Sequence, residues 1–225
     1  VSIGKSSKFD SKFDVYEGDV RTAIFLGGND SEFVGENITI RNNNIGVGIY
    51  VNPQSKLKIN NSHFLNINSY SIYAGASKDQ SKSAKLTIQD CDFSATKDAG
   101  NDDKQTGLCI CDKAKFTVDN CKFSNLKKAI SLINNKEDNS IKNCSFENIS
   151  KTAIEASSSS NSIFENCKVR NAVVIPAINV SITGKCPNDN NCVKFVKCSF
   201  KKGRTNISIN NKGLSRFEDC SFEDS

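Results

Sequence analysis

The chain of 225 residues has no methionine, no tryptophan, one histidine and three prolines. It also has no long apolar run. The longest, Ala172 to Ile178, is interrupted by Pro176, so no segment reaches the 18 or so apolar residues of a membrane-spanning helix. Charge of one sign is lacking too. Thirty Lys and Arg against 25 Asp and Glu give a formal charge of +5, and the signs are intermixed. Without a basic run interleaved with aromatics, nucleic acid is not an expected partner. The lone His63 falls on an outward strand position and reads as a surface residue, so no zinc set forms around it. An apolar stripe recurring every 3.6 residues is absent, which excludes helical repeats. The Leu-rich phrase of leucine-rich repeats and a six-residue period are absent as well.

What is present is a repeated phrase. Phe116 and Val118 alternate with Thr117 and Asp119, the period-2 pattern of a strand with one buried face. Asn120 interrupts it, and Asn suits a tight corner because it tolerates left-handed backbone. Cys121 and Phe123 restart the alternation, Ser124-Asn125 makes a second corner, and Ile130 and Leu132 form a third short strand. The phrase returns around Cys91, Cys144, Cys167, Cys198 and Cys220, and without cysteine at Ile59 to Phe64 and Ile40 to Ile45. Taking 43, 62, 91, 121, 144, 167, 198 and 220 as the equivalent site gives steps of 19, 29, 30, 23, 23, 31 and 22 residues. A period in the low twenties with local insertions marks a solenoid. A hydrophobic content of 37%, low for a globular domain of this length, suits a narrow rod with few core residues per coil.

The phrase apolar-x-Asn-(Asn/Cys)-x-Phe-x-Asn, followed by Ala/Gly-Ile-x-apolar, resembles the coil of right-handed parallel β-helices, the pectate-lyase-like superfamily. The resemblance covers roughly residues 20 to 222 and is closest in flavour to β-helical surface proteins and adhesins. It implies an all-β right-handed parallel β-helix of about eight to nine coils. Residues 1–22 read as an irregular N-terminal lead-in or cap, and 23–225 as the β-helix domain, ending in an incomplete coil. The chain opens at Val1 rather than Met, which reads as a processed or excised product of an extracellular or cell-surface protein.

Ten cysteines divide into two groups. Cys91, Cys121, Cys144, Cys167, Cys198 and Cys220 share one coil position and form an inward core column, read as free thiols that pack like small hydrophobes, with disulfides between neighbouring rungs as the alternative. Cys186 and Cys192 flank a short excursion and are candidates for a loop-closing disulfide. Cys109 and Cys111 bracket inward Ile110 and therefore face outward, as a second pair of disulfide candidates.

Catalytic residues are harder to place. The outward row of the third strand reads Phe25, Tyr50, Tyr73, Cys109, Ser131, Glu155, Asn179 and Ser208, in which Glu155 stands alone. Asp98, Asp102 and Asp103 crowd one loop, which reads as solvated rather than as a calcium site. No catalytic, cofactor or metal residue is assigned. Tyr50 and Tyr73 are candidates for stacking on a glycan. Asn37, Asn148, Asn179 and Asn206 open sequons and are candidate glycosylation sites, Asn179 and Asn206 as accessible positions. Asn60 and Asn143 open sequons too and read as sheltered. The resulting expectation is a non-catalytic extracellular structural or surface solenoid that associates end to end into filaments or docks on another surface protein. The alternatives are a carbohydrate-binding adhesin rod and, behind it, a polysaccharide lyase or hydrolase.

Overall fold

The computed structural model describes residues 1–4, 7–12, 14–18, 20–41, 45–75, 83–96, 105–159, 161–171, 178–185 and 192–223. The described chain winds through three parallel sheets of nine strands each, and each rung supplies one strand to each sheet in turn. Sheet A runs from Ser2–Ile3 to Thr205–Lys212, sheet B from Lys8–Lys12 to Arg216–Glu218, and sheet C from Val15–Glu17 to Ser221–Glu223. No helix occurs among the described residues. The all-β parallel solenoid expected from the repeat is the observed architecture.

The first rung corrects the expected boundary. Residues 1–22 are not an irregular lead-in, because Ser2–Ile3, Lys8–Lys12 and Val15–Glu17 already pair with the second rung. The repeat also needed shifting near its start. Ile40 lies opposite Phe64 rather than Ile59, so Ile38, not Asn43, shares the site of Ser62. Asn43 itself is outside the described residues.

The corner between sheets B and C explains the Asn-Cys phrase. Asn37, Asn61, Asp90, Asn120, Asn143, Asn166, Lys197 and Asp219 all have φ between 45° and 54°. That left-handed region costs most L residues about 1–2 kcal/mol, and Asn and Asp less. The side chains at this corner bond from rung to rung, as in Asn120 Nδ2 to Asp90 Oδ1 at 2.6 Å. The next residue then turns inward. Ser62 donates to the carbonyl of Asn60 at 2.7 Å, and Cys91 and Cys144 repeat that bond as thiols, to Gln89 and Lys142, at 3.0 Å. The cysteines thus do what a serine does at the corner while presenting a more apolar surface to the core.

Next to this column stand stacked phenylalanines. Phe64, Phe93, Phe123 and Phe146 are fully buried, with successive centroids 4.8, 4.8 and 5.1 Å apart and nearly parallel planes. The rung spacing of about 4.8 Å sets this distance, and each aromatic pair adds about 0.5–1.5 kcal/mol beyond area burial. Small residues on sheet A make room for the rings. A Cβ on Gly107 would lie 2.8 Å from Phe123 Cδ1 and 2.7 Å from the Ala129 carbonyl oxygen.

Candidate functional site

The outward face of sheet A gathers the chemistry. Register places Phe25, Tyr50, Tyr73, Cys109, Ser131, Glu155, Ser181 and Ser208 in one row, each opposite the next. The expected row had Asn179 where Ser181 stands. The strand Ile178–Lys185 is displaced by two residues from the expected alignment, with Val180 rather than Ile178 opposite Ile154. A two-residue shift keeps every side chain on its face, so alternation alone could not detect it.

The row begins as an aromatic ladder. Phe25 and Tyr50 rings lie 5.3 Å apart, and Tyr50 and Tyr73 lie 5.2 Å apart. Tyr70, which the sequence reading did not single out, sits against Tyr73 at 5.3 Å. It lies on the same strand three residues earlier. Tyr50 and Tyr73 keep part of their surface open, and Phe25 is 37% exposed.

The ladder then meets buried polar groups. Cys109 and Cys111 alternate with core residues Leu108 and Ile110, so they face outward as expected, yet both are buried. They are free thiols, not a disulfide, with Sγ atoms 3.9 Å apart. Two residues along a strand span about 6.8 Å, the outer limit of disulfide Cα spacing. Cys111 Sγ lies 3.8 Å from the Tyr73 hydroxyl. The bond shared with Cys111, and then burial, push the Cys109 thiol up, while that same bond from Cys109 lowers Cys111. Burial is also the main cause that raises Tyr73.

Glu155 does not stand alone. Its Oε2 accepts bonds from Lys128 Nζ and Ser131 Oγ, both at 2.7 Å. Burial pushes the carboxyl up, but the bonds from Lys128 and Ser131 and the charges of Lys128 and Lys151 outweigh it, and its pKa is lowered. Lys128 was missed because it is 27 residues from Glu155 and reaches it only through the stacking of two rungs. The available signal was its position three residues before Ser131, which matches Tyr70 before Tyr73.

The remaining candidates distribute as follows. Cys91, Cys121, Cys144, Cys167 and Cys198 are buried free thiols, and Cys220 is half-buried and free. Shared bonds with neighbouring thiols, then burial, push Cys91, Cys144 and Cys198 up. Cys192 is disulfide-bonded; Cys186 lies outside the described residues, as do Asp98, Asp102 and Asp103. Asn148 is exposed and Asn37 half-buried. Asn60 and Asn143 are exposed rather than sheltered. Asn179 and Asn206 are the reverse of accessible, at 0% and 7% exposure. They belong to an internal ladder in which Asn171 Nδ2 donates to Asn179 Oδ1 and Asn179 Nδ2 to Asn206 Oδ1, each at 2.6 Å. A separate groove of about 480 Å³ on sheet B is lined by Asp138, Ile163, Lys194, Leu214 and Arg216 among others.

The family described as right handed beta helix region matches residues 16–139 and 47–194. The chain belongs to the right-handed β-helix family. Among solved structures, this β-helix is similar to the periplasmic alginate epimerase AlgG, with a TM-score of 0.49 and 11% identity over 92% of this chain and 64% of that one. It is also similar to the polygalacturonase from Erwinia carotovora ssp. carotovora, with a TM-score of 0.37 and 9% identity over 98% of this chain and 72% of that one. The β-helix spans just under two thirds of the epimerase. No curated protein matches the sequence.

Proposed function

We propose that this β-helix is an extracellular rod that binds carbohydrate along the outward face of sheet A. The observation that carries the reading is the Phe25-Tyr50-Tyr73 ladder in the same outward row of sheet A as the Lys128-Ser131-Glu155 cluster, with the buried Cys109 rung between them. Aromatic faces stack on the apolar faces of sugar rings, and fixed donors and acceptors orient the hydroxyls. Binding is favoured over turnover because Glu155 is held ionised by two donors. Two-carboxylate glycoside hydrolysis needs one carboxyl whose pKa is raised and a second carboxylate at a suitable distance. The disulfide at Cys192 supports an oxidising compartment, and closure with Cys186 is part of the proposal.

Titration of neutral and acidic oligosaccharides by calorimetry tests it. Tyr50→Ala and Tyr73→Ala should each weaken binding by about ten-fold or more, the effect of removing an aromatic anchor. Unchanged affinity in both variants, or release of shortened or modified product by the wild type, would overturn the reading.

A further inference from the structure

The free thiols are of two kinds. Each thiol of the core column has a carbonyl acceptor two residues back. Cys91 and Cys144 reach it at 3.0 Å, and Cys121, Cys167, Cys198 and Cys220 at 3.3–3.4 Å. Corner geometry and core packing account for all six. Cys109 and Cys111 are different. Among the described residues neither thiol donates to a carbonyl. Their polar contacts are each other, at 3.9 Å, and the Tyr73 hydroxyl, 3.8 Å from Cys111. Both lie outside the continuous hydrophobic core, on the outward face of sheet A, yet they are only 2% and 7% exposed. Tyr73 and Ser131 flank Cys109 in register, and Ile133 lies opposite Cys111.

Two shielded sulfurs side by side make a chelating pair. With metal–sulfur bonds of about 2.3 Å, sulfurs 3.9 Å apart enclose an angle of about 116° at a shared ion. Opening that angle to linear needs roughly 10–20° of rotation in each χ1, which stays inside a rotamer well. Thiolates select soft ions such as Cu(I). Structural zinc takes four ligands, and no group of three or more His, Cys, Asp or Glu side chains suited to a metal occurs among the described residues. Burial also favours an ion that gives up its water readily. The bond from Cys109, and then one from the Tyr73 hydroxyl, lower the Cys111 thiol against its burial.

We propose that Cys109 and Cys111 form a two-sulfur site for a soft monovalent metal ion of the Cu(I) class. Binding replaces two S–H bonds with two sulfur–metal bonds and releases two protons to solvent, so no electron changes hands. The Tyr73 hydroxyl then donates to the Cys111 sulfur from outside the pair. The proposal stands apart from the carbohydrate reading, because it rests on the two thiols and its test leaves Tyr50 and Tyr73 in place.

The test is anaerobic titration of Cu(I), held reduced by ascorbate, in competition with the chromogenic chelator bicinchoninate. The wild type should take up one ion per chain. Cys111→Ser should weaken binding by about a hundred-fold or more, since one of two ligands is gone. Cys144→Ser should stay within about two-fold of wild type, because Ser62 already fills that column position with the same bond. X-ray absorption of the loaded wild type should show two sulfur neighbours at about 2.2–2.3 Å. Circular dichroism of Cys111→Ser should match wild type; if that variant unfolds, the wild-type spectrum together with the Cys144→Ser titration decides. Wild-type affinity in folded Cys111→Ser, or an equal loss in Cys144→Ser, would overturn the proposal. Coordination by nitrogen or oxygen alone, or Zn(II) displacing Cu(I) at equal concentration, would overturn it as well.

Discussion

Glu155 sits one rung beyond Ser131 and accepts a hydrogen bond from its hydroxyl at 2.7 Å on the same oxygen that holds Lys128. Both partners of the ion pair are largely shielded, with side-chain exposures of 23% and 27%. The arrangement joins two rungs and fixes the charge in the outward row of sheet A, three rungs beyond Tyr73.

A pH dependence follows from it. The folded carboxyl of Glu155 lies below its ordinary value, so the folded state holds its proton less tightly than the unfolded chain does. Its contribution to stability is therefore present above the unfolded carboxylate value of about 4.3 and is lost as pH falls through the lower folded value. Glu155→Gln should lower the melting temperature at pH 7, and the gap to wild type should close in strongly acidic buffer. Melting curves across that range provide the check. A gap independent of pH would mean that ionisation of Glu155 is not what stabilises the face.

The phenylalanine column makes a second prediction. Phe146 is fully buried and stacks on Phe123 at 5.1 Å. Phe146→Ala removes this contact and leaves a cavity that stacked rungs cannot close. It should cost about 3–5 kcal/mol in chemical denaturation, with the slope unchanged. A loss below about 1 kcal/mol would place the ring outside a close-packed column.

The asparagine ladder makes a third. Ile149 donates its backbone N–H to Asn171 Oδ1 at 2.7 Å, and the ladder continues through Asn179 to Asn206. Asn179→Ala strands a donor on Asn171 and an acceptor on Asn206 in a buried setting. The cost should be about 1–3 kcal/mol, measured by denaturant unfolding. In the background of Asn171→Ala and Asn206→Ala the same change should cost much less, because no polar group is then orphaned. Equal costs in both backgrounds would show that the ladder is not a connected unit.

Much of this fold was legible in the chain. The Asn-Cys-x-Phe phrase marks a corner and the strand after it, because only a few residues tolerate left-handed backbone and the next side chain must enter a narrow core. Tyr50 and Tyr73 were legible as neighbours, since their strands are near copies one period apart. Cys109 and Cys111 were legible as outward-facing from the alternation with Ile110. Their burial was not, because exposure depends on what covers a face rather than on the face itself.

The sequence by itself determined the rung, its corners, and the alternation of core and surface along each strand. These are local consequences of backbone sterics and period-2 geometry. Only the tertiary structure decided the pairing between rungs. It moved Ser181 rather than Asn179 into line with Glu155, drew Asn179 into a buried ladder with Asn171 and Asn206, and brought Lys128 to Glu155. Insertions of variable length separate these residues, and a two-residue shift leaves the alternation intact. Their register is settled by hydrogen bonding and packing between rungs, which no single rung contains.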